Sequence, residues 1–92
     1  MQQEVAETIA LQALGWLATD EELRPVFMGA SGVSAEDMRT GATDSAFLIS
    51  LLDFIMMDDA WVIRFCDSFG HPYEAPMQAR QALPGGAQLH WT

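Results

Sequence analysis

Two tight groups of acidic residues, Asp20, Glu21 and Glu22, then Asp58 and Asp59, are the first side chains here that could do chemistry. Paired carboxylates hold divalent cations or exchange protons as general acid and base. Neither group has the alternating aspartates and central glycine of a calcium loop. Each stands where a helix is predicted to begin, and a negative side chain there is stabilised by the helix dipole by about 0.3–1 kcal/mol. We read both groups as helix starts. Cys66, His71 and His90 are too few, and too unevenly spaced, for the four paired ligands of a zinc site, so no metal and no cofactor is expected. Cys66 falls on the apolar side of a predicted helix beside Val62 and Phe69, as a buried, inert thiol would. His71, next to Pro72, reads as a cap or surface residue. There is no glycine-rich phosphate loop, nucleophile elbow or dinucleotide fingerprint. No catalytic, cofactor-binding or metal-binding residue is assigned, and enzyme activity has no support in the sequence.

Met28, Met38, Met56, Met57 and Met77 could line an adaptable binding groove or fill gaps in a core. Met57 and Ile49, beside a polar strip made by Ser50 and Asp53, are the residues predicted to stay partly exposed. Trp91 follows Pro84, Gly85 and Gly86, on a segment that could dock on a partner or back onto its own chain.

Charge narrows the partners. Thirteen acidic residues face four arginines (Arg24, Arg39, Arg64 and Arg80) and no lysine, a net charge of −9 over 92 residues. Nucleic acid and anionic membrane surfaces are bound through clustered cations, and none are clustered here. A basic protein partner or self-association remains open. Half the residues are hydrophobic, with three Trp, five Phe and six Met, which is too apolar for a disordered acidic tail. The single cysteine rules out an internal disulfide, and with no basic, apolar leader at the start this predicts a cytoplasmic protein. The most hydrophobic stretch, residues 47–57, is far shorter than the ~20 residues needed to cross a bilayer.

The elements that must position these residues are helices. Residues 2–18 carry Val5, Ile9, Ala13, Trp16 and Leu17 at helical spacing. Thr19 to Glu22 has capping-box spacing, with Thr19 or Asp20 as the cap, and opens a helix carrying Leu23, Val26 and Phe27. Pro25 predicts that this helix is kinked or starts irregularly. Ser34 and Asp37 form a second capping box opening a short helix to about Thr40. Residues 46–57 form a helix apolar on nearly every side, which belongs at the centre of the fold. Asp58 and Asp59 start a helix to Phe69 with Trp61, Phe65 and Phe69 four apart. Gly70 ends it, and Tyr73, Met77 and Ala82 or Leu83 continue into a last helix with a mild irregularity at Pro76. The predicted fold is all-α, a compact bundle of five to six short helices in one domain over residues 1–86, with 87–92 a mobile tail.

Residues 9–40 also overlie residues 47–78 without a gap at an offset of 38. Leu14 falls on Leu52, Trp16 on Phe54, Asp20 on Asp58, Phe27 on Phe65 and Gly32 on Gly70. A duplicated three-helix unit and two helical hairpins with common caps both account for this. In either case one unit cannot bury its aromatics alone, so the two should share a core in a roughly two-fold arrangement.

The segments IALQALGWLATDEEL, AFLISLLDFIMMDDAWVIRFC and QALPGG together resemble a family of short, uncharacterised bacterial proteins classed as a domain of unknown function. The resemblance runs over about residues 5–86, and the closing Ala-Leu-Pro-Gly-Gly is a recurrent ending in that family. Pro25 and Pro76 look like local departures from it. The resemblance implies a small helical cytosolic protein and transfers no catalytic residue, cofactor or substrate. Two function classes follow: a non-enzymatic protein-interaction module, and a small-molecule-binding or enzymatic domain with a pocket between the helices near Asp53 or His71.

Overall fold

A helix leaves its first four N–H groups without internal partners, and short polar side chains take up some of them at the starts of the second to fifth helices. In the computed structural model, which describes residues 1–86, six α-helices follow one another. They are α1 (Gln3–Thr19), α2 (Leu23–Ser31), α3 (Ala35–Thr40), α4 (Ser45–Ile55), α5 (Asp59–Phe69) and α6 (Ala75–Ala82), with a single 3-10 turn at Gly41–Thr43 between α3 and α4. No strand occurs among the described residues. Asp44 and Asp58 accept from the N–H groups of Ala46 and Ala60 at 3.0 and 2.8 Å. Ser34 and Asp37 form the reciprocal capping box the sequence predicts. Ahead of α2, Asp20 Oδ1 accepts from the N–H groups of both Glu22 and Leu23 at 2.9 Å. Thr19 is no part of a cap, because its hydroxyl donates back to the carbonyls of Gly15 and Trp16.

The prolines fit these starts. Residues 21–22 form a turn and α2 begins at Leu23, so Pro25 lies in a first turn where no N–H is needed and the irregular start replaces a kink. Pro76 likewise sits in the first turn of α6 and is fully buried, a well-placed start where an irregularity was expected. At the other ends, Gly32 and Gly70 close α2 and α5 at φ 76° and 71°. Only glycine adopts this left-handed conformation without a steric penalty.

One cluster of buried side chains draws on every helix. At its centre α4 buries Leu48, Ile49, Leu51, Leu52, Phe54 and Ile55. α1 packs most extensively on α6 and then on α4. Its buried side is Ala6, Ile9, Ala10, Ala13, Leu14 and Leu17, and α6 answers with Ala75, Pro76 and Ala79. The Cα radius of gyration, 12.2 Å, matches the ~12 Å of a compact chain of this length.

The 38-residue offset has a counterpart in space. Trp16 of α1 packs on Phe65 of α5 with ring centroids 5.6 Å apart, and Phe54 of α4 packs on Phe27 of α2 at 5.1 Å. Trp16 corresponds to Phe54 and Phe27 to Phe65, so the two contacts are one contact made twice, each time from one unit to the other. The symmetry stops at the third helices. α6 lies along α1, whereas α3 is short and runs into the 3-10 turn, and it is that turn which packs on α4.

Several side chains lie elsewhere than predicted. Ile49 is buried, because it points into the core beside Leu48 and Leu52 rather than along the Ser50 and Asp53 strip. Val5 of α1 is about half exposed, since Ala6, Ala10 and Ala13 form much of that helix's inner face, and Val26 of α2 is too, where Leu23 and Phe27 are the buried residues. Trp61 is only partly covered, stacked on Phe54 at 4.9 Å, and Phe69 is 41% exposed. Tyr73 and Met77 face outward, the inner face of α6 being its alanines and Pro76. α4 ends at Ile55, with Met56 and Met57 in a turn. The predicted mobile tail lies outside the described residues.

Two arginines tie helices together. Arg64 of α5 donates to Asp20 at 2.7 Å and to Glu22 at 3.3 Å, and lies over the Trp16 ring. Arg80 of α6 donates through Nε and Nη2 to the carboxylate of Asp53 on α4, and through Nη1 to the Gly86 carbonyl at 3.1 Å. A Cβ on Gly86 would strike the Arg80 backbone carbonyl. This explains the closing segment: Leu83 plugs the core, at 2% exposed, Pro84 stops the helix, and Gly86 is the residue small enough to fold back beneath Arg80.

Phe65→Ala should therefore destabilise the protein by about 3–5 kcal/mol, as large core aromatics do. Trp61→Ala should lose only about 1–3 kcal/mol, because part of its ring never leaves water. Urea unfolding of the two variants checks this order. Asp20 supplies a pH test. Its carboxyl is held below the ordinary 3.8 chiefly by the Leu23 N–H, against the opposing effect of burial, with the Glu22 N–H and Arg64 adding to the lowering. A depressed folded pKa stabilises the fold above the unfolded value and ceases to do so as pH falls through the folded one. Asp20→Asn should be less stable than the parent by about 0.5–1 kcal/mol at pH 7, and the difference should close in melts taken below pH 3.8.

Candidate functional site

The rotation of α5 and α6 about their own axes decides what the protein presents to its surroundings. Asp58 fixes the start of α5, and Phe65 and Cys66 anchor one side of it in the core. Val62 and Ile63 are thereby left on the flank that faces α6. Gly70 then turns the chain, and the Tyr73 hydroxyl donates to Asp67 Oδ1 at 2.9 Å, which ties the start of α6 to the end of α5. With Ala75, Pro76 and Ala79 inward, Tyr73 and Met77 stand outward at 52% and 54% exposed. Between the two helices lies an open groove of about 340 Å³, lined by Met56, Val62, Ile63, Tyr73 and Met77 with Asp59 and Glu74 at its edges. It is apolar within and acidic at the rim.

The residues singled out for chemistry are otherwise engaged. Cys66 is fully buried, and burial pushes its thiol pKa up, with the charges of Asp67 and Glu74 adding to the effect. A thiol held protonated is a poor nucleophile. His71 is half-buried. Its Nε2 lies 2.6 Å from Gln12 Oε1 on α1, where Nε2–H donates to the amide oxygen, and its ring stacks on Phe69 at 10° between planes. It is a strut between the α5–α6 connection and α1, where a cap or surface residue was expected. Asp20 and Asp58 cap helices as predicted. Among the described residues no three His, Cys, Asp or Glu side chains converge as metal ligands would. His90 and Trp91 lie outside the described residues.

A cleft of about 310 Å³ does open beside Asp53, lined by Phe27, Ser50, Phe54 and Met57 among others. The Asp53 carboxylate is paired with Arg80, so its charge is already neutralised and the cleft offers a bound ligand mainly apolar walls. Met57, at 78% exposed, edges this cleft as predicted. Met38 is buried and Met28 partly so. The methionines thus divide between the two roles: those on α2 and α3 pack the core, and Met56 and Met77 line the α5–α6 groove.

Met56 and Met77 are candidate groove residues by type, but the sequence leaves the inner face of α6 unassigned. Its signal was present in Ala75 and Ala79, four apart and separated from Pro76 by no polar residue on that side, but large residues outweigh alanines in any hydropathy pattern.

No helix among the described residues is long and apolar enough to cross a membrane. No curated protein and no solved structure matches the chain. A family model does, over residues 3–86, a span that takes in all six helices and ends at Gly86, where the chain folds back beneath Arg80. The chain accordingly belongs to the family described as protein of unknown function (DUF3572).

Proposed function

We propose that this protein is a non-enzymatic interaction module that receives a basic amphipathic helix of a protein partner in the groove between α5 and α6. The carrying observation is the combination of outward-facing Ile63, Tyr73 and Met77 with carboxylates at the groove edge. Amphipathic helices dock into such grooves through side chains one turn apart. Met56 and Met77 supply flexible, polarisable walls that re-pack around an incoming side chain. Asp59 and Glu74 flank them, and the net charge of −9 favours approach by a cation-rich segment over a second copy of the same chain.

Position-specific crosslinking in host cells tests this. Met77→p-benzoylphenylalanine should capture a partner whose crosslinked segment is helical and rich in Lys and Arg, and Thr40→p-benzoylphenylalanine on α3 should not. Adding Asp59→Lys and Glu74→Lys should abolish the Met77 adduct in a chain that still melts cooperatively, its stability lowered only by the lost helix-dipole contribution of about 0.3–1 kcal/mol at each helix start. Equal capture at both positions, a captured segment without positive charge, or a second copy of this chain as the adduct would overturn the reading.

A further inference from the structure

On the opposite side of α1, the cleft where α1, α2 and α3 meet brings together the two arginines that hold no helices together. Its volume is about 350 Å³, at the lower end of the ~300–1,000 Å³ of small-molecule pockets. Leu14, Ala18 and Met38 supply an apolar floor, and among the described residues Arg24 and Arg39 are the only charged ones that line it. Arg64 is paired with Asp20 in the α1–α2 connection and Arg80 with Asp53 on α4. Among the described residues, Arg24 makes one long hydrogen bond, 3.4 Å to the Ala18 carbonyl. Arg39 pairs with Glu36 one turn back on its own helix, with both side chains more than 60% exposed, and such surface pairs yield readily to a competing anion. In a chain with thirteen acids, a cleft with two cations and no carboxylate on its wall among the described residues is a marked local reversal of charge.

Gly15 adds an independent observation. It occupies the middle of α1, where glycine weakens a helix relative to alanine. Its φ is not positive, and a Cβ built on it would meet no atom within 4 Å, so neither backbone conformation nor packing within the fold calls for glycine. It lines this cleft, and a larger side chain there would stand in the cleft's own space.

We propose that this cleft binds a small amphipathic organic anion, its hydrocarbon body over Leu14, Gly15 and Met38 and its anionic head between the guanidinium groups of Arg24 and Arg39. Guanidinium forks match carboxylate and phosphate oxygens alike, so both head groups are included. The site shares no lining residue with the α5–α6 groove, and either assignment can fail without the other.

Amide chemical shifts of the full ¹⁵N-labelled chain, titrated separately with octanoate, octyl phosphate and octanol, test the proposal. At least one of the two anions should give saturable shifts at Gly15, Ala18 and Met38, and octanol should bind about tenfold more weakly. The tighter of the two anions identifies the head group. Arg24→Gln with Arg39→Gln should weaken the anion about tenfold or more and leave octanol unchanged. Gly15→Leu should weaken all three, with melting curves confirming that both variants fold. Absence of saturable shifts with either anion, equal binding of octanol, or indifference to the double arginine variant would overturn it.

Discussion

The structure rests on the burial of α4. Its residues are apolar on nearly the whole circumference, and Leu48, Ile49, Leu51, Leu52, Phe54 and Ile55 leave water together. A helix of that kind is stable only inside a shell of other helices, and in a chain of 92 residues every other element must contribute to the shell. α1 and α6 pack along it and along each other, α2 and α5 close over it with Phe27 and Phe65, and the 3-10 turn covers its start. The polar contacts then fix the relative placement of parts already gathered by burial. Asp20 shows this economy: one oxygen caps α2 and the other receives Arg64 from α5.

Much of this was legible in the residues themselves. The capping side chains are strong local signals because each satisfies backbone groups only a few positions away, and Asp58, Ser34 and Asp37 all act as their spacing suggested. The glycines at 32 and 70 announce the ends of α2 and α5 for a similarly local reason. What stayed hidden was rotation. α1 and α6 meet through alanines, whose small side chains permit close approach of two backbones while contributing little to any hydropathy pattern, so Val5 reads as part of the apolar face of α1 and the outward turn of Tyr73 and Met77 goes unannounced. Ile49 was misjudged for the converse reason, since a helix surrounded on nearly all sides has no single outer stripe to find.

The candidate sites were legible only in part, because each depends on packing between helices distant in sequence. That Met56 and Met77 share a groove follows from the turn at Gly70 and the inward alanines of α6. That Arg24 and Arg39 share a cleft follows from how α2 and α3 fold back on α1. His71 illustrates the same point, since nothing near it in the chain foretells Gln12, on α1, as its partner. The acidic groups that invited a catalytic reading are largely occupied by backbone N–H groups and by arginine.

The exchanged aromatic contacts carry an evolutionary consequence. Phe27 meets Phe54 and Phe65 meets Trp16, so a change of volume in either half of the chain is felt by a residue in the other half. Drift in one half is then tolerated only with a matching adjustment in its counterpart. Pairs of covarying positions should lie between the halves, about 27 or 49 residues apart in sequence, and this coupling would hold two look-alike segments in step long after their sequences had diverged.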